Sequence, residues 1–393
     1  MKILMAHNRH LIPGGEDQSF AQESQLLMAK GHELKKYLCD NRTIHGSPLW
    51  KVGLRSIWSF KDYHEIHQVI RSSHPEILHV QNTFPLMSPA VFHAAKREGV
   101  VTVMSLRNYR LYCLNAYFFR DGKVCELCIN QPVPISGIYQ KCYRDSLAGS
   151  LAAASTVSLH RLLRTYQKKV DMFIALTEFA REKFISHGIP AHKIRVKPNF
   201  IYPDPLPGTE QNDSVLYVGR LSPEKGVETL LTAWSYLSER IKLKIAGSGP
   251  LQEKVQAIAN RDSNIEYLGQ KPLEQIYHLL GQARALIFPS LWYEGMPRTI
   301  IESFAKGTPV IASNLGAMAS MIVPERTGLH FEAGNAADLV NQVTWMLNHP
   351  TYWQVMRHNA RQEFEQNYTA ERNYEMLMDI YQQAIDSKRA QLN

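Results

Sequence analysis

Arg220 and Lys225 stand five residues apart in Gly219-Arg220-Leu221-Ser222-Pro223-Glu224-Lys225-Gly226. This loop follows the apolar run Val215–Val218 and precedes a helical pattern. Two cations at that spacing across a turn can converge on one anion. A departing diphosphate needs such a pair, because fixed positive charge lowers the barrier where negative charge grows. The competing use is a solvated loop with two unrelated cations, and placement at a strand's carboxyl end favours the first. Further on, Phe288-Pro289-Ser290-Leu291-Trp292-Tyr293-Glu294-Gly295-Met296-Pro297 leads into a predicted helix over Arg298–Lys306. Pro297 suits a first helical turn. The amides near Gly295 and Met296 suit a phosphate, and Gly295 lets the backbone approach it closely. Glu294 lies just outside that helix and Glu302 inside it, with seven residues between them. A carboxylate accepts two hydroxyl hydrogen bonds, as a ribose or sugar diol requires. For Glu302 the competing partner is Arg298, one turn away.

Loops of this kind need strands to carry them. In the first half, strand-like runs at Ile3–Ala6, Glu33–Cys39, Glu76–Val80, Val100–Ser105 and Phe173–Leu176 alternate with helical stretches such as Asp17–Lys30, Asp62–Ser72 and Pro89–Glu98. Such alternation predicts an α/β fold with a parallel sheet covered on both faces. The Pro-rich segment Tyr202-Pro203-Asp204-Pro205-Leu206-Pro207-Gly208 continues neither helix nor strand and reads as a linker. The pattern then restarts with runs at Ser214–Val218, Leu243–Ala246, Ile265–Leu268, Ala285–Phe288, Val310–Ala312 and Leu329–Phe331. We therefore expect two doubly wound, Rossmann-like domains facing each other across a cleft, residues 1–205 and 206–370. A terminal helix, 371–393, is expected to pack back on the first domain. Ligands of such sheets bind beyond the carboxyl ends of the strands.

Between Leu106 and Cys142 the rhythm breaks, and a Tyr-, Phe- and Cys-rich insertion is expected over about 106–142. Four of the five cysteines, Cys113, Cys125, Cys128 and Cys142, lie there. One CxxC pair with irregular outer spacing fits either a structural zinc site or ordinary thiols. From about Tyr143 to Val170 a basic helix is expected, with Arg161, Arg164, Lys168 and Lys169 and an apolar stripe of Leu159, Leu162 and Leu163. It suits either an anionic membrane surface or simple one-sided packing. The net charge of +8 is compatible with nucleic acid, an anionic membrane or an anionic small substrate. A start that turns polar by His7, with no run of about 18 apolar residues, argues against a signal peptide or a spanning helix. The expected location is the cytoplasm, with the inner face of the cell membrane as a possible station.

The loop Gly219-Arg220-Leu221…Glu224-Lys225-Gly226, paired with Glu294-x7-Glu302, resembles the large retaining glycosyltransferase family 4, of GT-B fold. So do Ala246-Gly247-Ser248-Gly249-Pro250, Pro289-Ser290, Gly307-Thr308-Pro309-Val310-Ile311-Ala312-Ser313 and Gly328-Leu329. The resemblance implies that Arg220 and Lys225, beside Gly219 and Gly247, bind a donor diphosphate. It implies that Glu302 holds the ribose hydroxyls and that Glu294 contacts the transferred sugar, with Gly295, Met296 and Pro297 beside it. Leu268 and Gly269 fall where such enzymes cradle the base. Gly14-Gly15 resembles the family's glycine-rich loop near diphosphate and acceptor, and Glu16 follows it. His79-Val80-Gln81-Asn82 resembles an acceptor-side segment, in which His79 suits either a contact or a core histidine, and Asn82 an acceptor contact. Arg107, next to Asn108, stands where many relatives carry His; a guanidinium binds phosphate or hydroxyls but is no base. Asn314-Leu315-Gly316-Ala317-Met318-Ala319-Ser320 also departs, lacking the usual second glycine and acidic residue.

The resemblance thus implies a retaining hexosyltransferase without a resident cofactor, acting independently of metal on a UDP-sugar, with glucose the first expectation. Its acceptor would be a saccharide or lipid-linked saccharide, as in bacterial exopolysaccharide synthesis. Glu294, Arg220, Lys225 and Arg107 are the expected catalytic group. A nucleotide-sugar epimerase of the same fold and a phosphorylase are rivals. The phosphorylase would need a pyridoxal-binding lysine context, which we do not find. A nucleic-acid partner is not expected, because it leaves the loop motifs unexplained despite the Tyr109–Arg120 aromatic and basic run.

Overall fold

The computed structural model describes residues 1–392 except 12, 13, 45, 47, 209–211 and 238–240. In chain order the strands are β1 (Lys2–Arg9), β2 (Glu33–Asp40), β3 (Ile77–Asn82), β4 (Val101–Leu106), β5 (Phe119–Arg120), β6 (Lys123–Val124), β7 (Met172–Ala175), β8 (Ile194–Val196), β9 (Ser214–Val218), β10 (Lys242–Ala246), β11 (Ile265–Gly269), β12 (Leu286–Phe288), β13 (Val310–Ser313) and β14 (Gly328–Phe331). The helices are α1 (Gly15–Ala29), α2 (Leu49–Ile57), α3 (Phe60–Ser73), α4 (Ala90–Arg97), α5 (Ile135–Tyr139), α6 (Leu147–Leu162), α7 (Thr165–Lys169), α8 (Glu178–Ser186), α9 (Val227–Leu237), α10 (Gln252–Ala259), α11 (Leu273–Gln282), α12 (Arg298–Ala305), α13 (Gly316–Met321), α14 (Ala336–Asn348), α15 (Pro350–Asn367) and α16 (Ala370–Leu392). They form two compact units. One comprises Met1–Phe118, Cys125–Pro198 and Asn373–Asn393, the other Phe119–Val124 and Asn199–Arg372.

The first unit is built on a six-stranded sheet of order β2-β1-β3-β4-β7-β8, parallel throughout. Its central strands are apolar and buried from end to end, as β4 shows with Val101–Leu106. That is the pattern of a sheet covered on both faces. Ile3, Met5, Ile77, Val103 and Ile174 pack there against Phe20 and Leu27 of α1. Leu377, Ile380, Tyr381 and Ala384 of α16 complete this core, so the last helix of the chain is part of its first unit. Local signals start the helices: Ser59 and Thr177 cap α3 and α8 through their hydroxyls. The basic helix expected from Tyr143 to Val170 is instead two helices, α6 and α7. Arg164 takes a left-handed conformation (φ 51°) between them. The side chain of Arg161 turns inward to the carbonyls of Gln131 and Leu111, and Leu162 and Leu163 of the expected apolar stripe are exposed.

The second unit repeats the plan with the order β11-β10-β9-β12-β13-β14, again all parallel. Trp234 of α9 is fully buried among Val215, Tyr217, Leu243 and Ile287. Its indole donates to the carbonyl of Ile241 at 3.2 Å, which satisfies the one polar group that this burial would strand. In both sheets the strand order reverses direction near the middle, between β1 and β3 in the first and between β9 and β12 in the second. Loops leaving the carboxyl ends diverge there and leave a crevice.

Candidate functional site

The crevice of the second unit is lined by the loops after β9 and β12, which carry the residues singled out by charge and spacing. Lys225 Nζ lies 2.7 Å from Glu294 Oε1. The same oxygen accepts from Ser290 Oγ at 2.6 Å and Trp292 Nε1 at 2.7 Å. Phe288 and Trp292 flank the ammonium, at 5.6 and 5.3 Å from their ring centres. Glu294 is thereby buried but fully engaged. Arg220 is half-exposed and pairs with Glu224, which also accepts from Ser222 Oγ at 2.7 Å. Each cation is therefore held by a carboxylate, which restricts its rotamers.

Glycines let these loops touch. Gly226 has φ 70°, and a Cβ there would stand 1.8 Å from the carbonyl oxygen of Pro289. The amide of Leu291 reaches the carbonyl of Glu224 at 2.9 Å, locking the two loops together. Gly247 has φ 149°, and a Cβ would stand 1.9 Å from the carbonyl oxygen of Gly219. The amide of Gly247 donates to the carbonyl of Gly269 at 2.9 Å, so the ends of β9, β10 and β11 form one edge, with Leu268 on it. Gly295 and Met296 lie between Glu294 and α12, and Met296 Sδ accepts from the amide of Asn199 at 3.1 Å. Pro297 precedes α12 without a side-chain cap, which leaves first-turn amides for an anion. Glu302 is buried with Arg298 Nε at 3.6 Å. Burial raises its pKa, and Arg298 offsets only part of that.

In the first unit the crevice between β1 and β3 gathers Glu16, Asn82 and Asn108. Glu16 Oε1 accepts from Asn108 Nδ2 at 3.0 Å, and Glu16 Oε2 meets His10 Nε2 at 3.0 Å and Asn82 Nδ2 at 3.4 Å. Burial penalises the Glu16 carboxylate. Hydrogen bonds and charge from His10, with Asn108 and Arg107, outweigh this and hold it below its ordinary pKa. The hydrogen bond to Glu16 raises His10. Gly15 opens α1, and the Asp17 carboxylate accepts from the Gly14 amide at 3.2 Å and meets His7 Nε2 at 3.0 Å. A pocket beside this cluster is lined by Asn82, Arg107, Asn108, Arg110 and Tyr166, among others.

One expectation needs correction. His79 contacts no acceptor surface: it is fully buried, with Nδ1 at 2.7 Å from the Tyr381 hydroxyl and Nε2 at 2.9 Å from Ser105 Oγ. Burial lowers its pKa to about 4, so the ring is a neutral core group. The zinc alternative gains no support from the geometry. Among the described residues no three His, Cys, Asp or Glu side chains form a group able to hold a metal ion. Burial raises the Cys113 thiol, and burial together with the neighbouring Cys113, Cys142 and Cys125 pushes that of Cys128 up to about 11. Cys113 donates to Asn115 Oδ1 at 2.9 Å, and neither Cys125 nor Cys142 is in a disulfide.

The sequence reading missed other members. His10 was passed over because one histidine in an isolated loop carries no spacing signal. Glu23 and Lys197 form a buried ion pair at 2.7 Å, although 174 residues separate them. Gln81 bridges this pair to Arg107: its Nε2 donates to Glu23 at 2.5 Å, and its Oε1 accepts from Arg107 Nε at 2.7 Å. Arg107 is therefore mostly buried, with its guanidinium anchored on β3.

Comparison with known proteins follows the same division. A model described as "Glycosyltransferase Family 4" matches residues 13–204, and one described as "Glycosyl transferases group 1" matches residues 203–363. An uncharacterized glycosyltransferase of Methanocaldococcus jannaschii is 27% identical over 173 residues, covering 44% of this chain and 48% of that protein. The D-rhamnosyltransferase WbpZ of Pseudomonas aeruginosa is 31% identical over 159 residues, covering 39% and 41%. The chain thus spans about half the length of the curated relatives it matches, or less. Among solved structures, HepE of Anabaena in complex with UDP has a TM-score of 0.68 at 15% identity, over 96% of this chain and 99% of that one. The same protein in complex with UDP-glucose has a TM-score of 0.65 at 14% identity, over 99% and 100%. The fold is GT-B, and with two family models that together run from residue 13 to 363, the chain belongs to glycosyltransferase family 4.

Proposed function

We propose that the protein transfers a hexose, with glucose the first choice, from a UDP-sugar to a hydroxyl of a saccharide or lipid-linked saccharide. The product would belong to a bacterial polysaccharide, and the anomeric configuration would be retained. The observation that carries this is the pairing of Lys225 with Glu294 across the loops after β9 and β12, with Arg220 on the first of those loops, at the topological switch point of the second sheet. The UDP and UDP-glucose complexes of HepE, a protein of the same fold, support the choice of donor. In this reading Arg220 and Lys225 take the diphosphate, exchanging their carboxylate partners for phosphate oxygens. Glu302 binds the ribose diol. Glu294, released from Lys225, accepts from sugar hydroxyls. Glu16, Asn82 and Asn108 line the acceptor side in the first unit, beside the pocket wall formed by Arg107.

The bond between the anomeric carbon and the diphosphate oxygen breaks as the acceptor oxygen attacks the same face. The acceptor's proton passes to the leaving diphosphate, so the protein supplies charge and position rather than a nucleophile. Thermal-shift screening of nucleotide sugars should single out a UDP-hexose by a raised melting temperature. Incubation with that donor should release UDP and give an α-linked product by NMR from an α-linked donor. We expect full activity in EDTA. Donor conversion without any acceptor, yielding an epimer, would replace this reading with an epimerase. Loss of activity in EDTA, restored by manganese, would remove the metal-independent mechanism.

A further inference from the structure

The pocket beside the Glu16 cluster has a positive charge that its own walls do not balance. It lies wholly within the first unit. Arg107 and Arg110 both line it, and none of its described lining residues is Asp or Glu. Nη1 of Arg110 donates to the carbonyl of Leu114 at 2.7 Å. The guanidinium lies over the rings of Phe84 and Tyr143, 4.4 and 5.4 Å from their centres. Among the described residues no carboxylate pairs with Arg110, and its Nε and Nη2 have no protein acceptor. Burial lowers its pKa. Arg357, a buried guanidinium elsewhere in the chain, shows the contrast: its Nη1 and Nη2 both donate to carbonyls, those of Ala283 and Gly281.

Arg107 stands beside Arg110 with a neutral anchor. Its Nε and Nη2 donate to the Gln81 amide oxygen at 2.7 and 2.5 Å. Glu23, beyond Gln81, is already neutralised by Lys197 at 2.7 Å. Two guanidiniums therefore face one nearby carboxylate, Glu16, whose oxygens are engaged by His10, Asn82 and Asn108. A positive charge is left over in a partly desolvated place, which is expected where a ligand brings the counter-charge. The size of the pocket limits that ligand. Its volume of about 50 Å³ holds roughly four water-sized groups at about 10–15 Å³ each. A carboxylate or a phosphate fits there, and a whole sugar ring does not. We propose that the acceptor sugar carries an oxyanion, which Arg107 and Arg110 hold in this pocket while the ring stays outside beside Asn82 and Asn108. The forked donors of a guanidinium match either oxyanion. Phe84 and Tyr143 hold the plane of Arg110, so little freedom is lost on binding. The inference rests on the proposed sugar transfer only in naming this molecule the acceptor.

Calorimetry on the full-length protein tests it, with UDP at saturation so that the donor site is filled. Glucuronate and glucose 1-phosphate present the two oxyanions on one sugar, and glucose presents the ring without charge. At least one anionic sugar should bind about tenfold tighter than glucose or more, and the tighter of the two identifies the source as a uronic acid or a sugar phosphate. Arg110→Gln should lower that affinity about tenfold, with UDP affinity, circular dichroism and melting temperature as in the wild type. Arg110→Lys should recover part of the loss. Equal binding of all three sugars to the wild type would overturn the proposal, and that comparison depends on no variant. An Arg110→Gln protein that folds and binds the anionic sugar as the wild type does would also overturn it. Inorganic phosphate binding as tightly as glucose 1-phosphate would make this a free-anion site and defeat the acceptor assignment. Anionic-sugar binding that survives a failure to transfer from any UDP-sugar would sink the proposed reaction and leave the oxyanion site standing. Transfer to neutral glucosides at a rate that Arg110→Gln does not change would keep the reaction and remove this inference.

Discussion

Glu294 Oε1 gathers Lys225, Ser290 and Trp292 within 2.7 Å, so one carboxylate oxygen sets the position of the cation expected to meet the diphosphate. Replacing Lys225 by Ala should lower kcat/KM for UDP release by about 10²–10³-fold, the range for removing one preorganised charge-stabilising donor. Arg should restore part of that loss, and an unchanged kcat/KM in the Ala variant would contradict the donor assignment. His79 gives a different kind of prediction. Burial holds it, like His160, near a pKa of about 4. The unfolded chain, with a histidine value of about 6.5, binds more protons than the folded one between these limits. Stability is therefore highest above pH 6.5 and falls as pH drops toward 4. At about 1.4 kcal/mol per pKa unit, each ring costs roughly 3 kcal/mol across that window. Glu23, which burial would raise but which Lys197, His79 and Arg107 hold at about 2, extends the loss from pH 4.5 down to 2. Urea unfolding at pH 7 and pH 4.5 measures the slope, and His79→Gln should flatten it above pH 4 even if it lowers stability throughout.

Between residue and fold stand the two loops that share a backbone contact. Gly226 meets two demands at once, a left-handed φ of 70° and a carbonyl oxygen where a Cβ would be. Gly226→Ala must move the loop after β12 as well as its own, so UDP affinity by calorimetry should fall at least tenfold, with a loss of roughly 2 kcal/mol of stability. Wild-type affinity in that variant would show that the loops do not act together. The break between α6 and α7 shows what local pattern leaves out. Neither Gly nor Pro punctuates Arg161–Thr165, so the sequence reads as one helix. The chain turns there because Thr165 Oγ1 is buried between His160 Nδ1 at 2.9 Å and His93 Nε2 at 3.0 Å. Those partners come from different helices and leave no periodic trace.

For the whole molecule, the last helix belongs to the first unit. Asn373 accepts from Lys197 Nζ at 2.9 Å and donates to the carbonyl of Pro198 at 2.6 Å. Leu377, Ile380 and Tyr381 are buried below it. Burial of such side chains is worth about 1.5–3 kcal/mol each, against a total stability of about 5–15 kcal/mol. A chain ending at Arg372 should fail to fold its first unit, seen as insolubility or loss of the cooperative transition in circular dichroism. A soluble, cooperatively melting product would show that α16 is dispensable. Among the described residues no helix is long and apolar enough to cross a membrane.

The sequence by itself determined what is local or periodic. Alternating buried strands and helices announced two parallel sheets, because a strand covered on both faces must be apolar throughout. Arg220, Lys225, Glu294 and Glu302 were legible because their loops sit beside strands and carry punctuating Gly and Pro. Only the tertiary structure decided how distant residues share a site. It put the loops after β9 and β12 side by side at a reversal of strand order, and likewise grouped His10 and Glu16 with Asn82 and Asn108. It sank His79 into the core and buried Glu23 against Lys197. Such outcomes depend on which strands become neighbours and on which side chains lose their water, and neither is encoded in the spacing of residues along the chain.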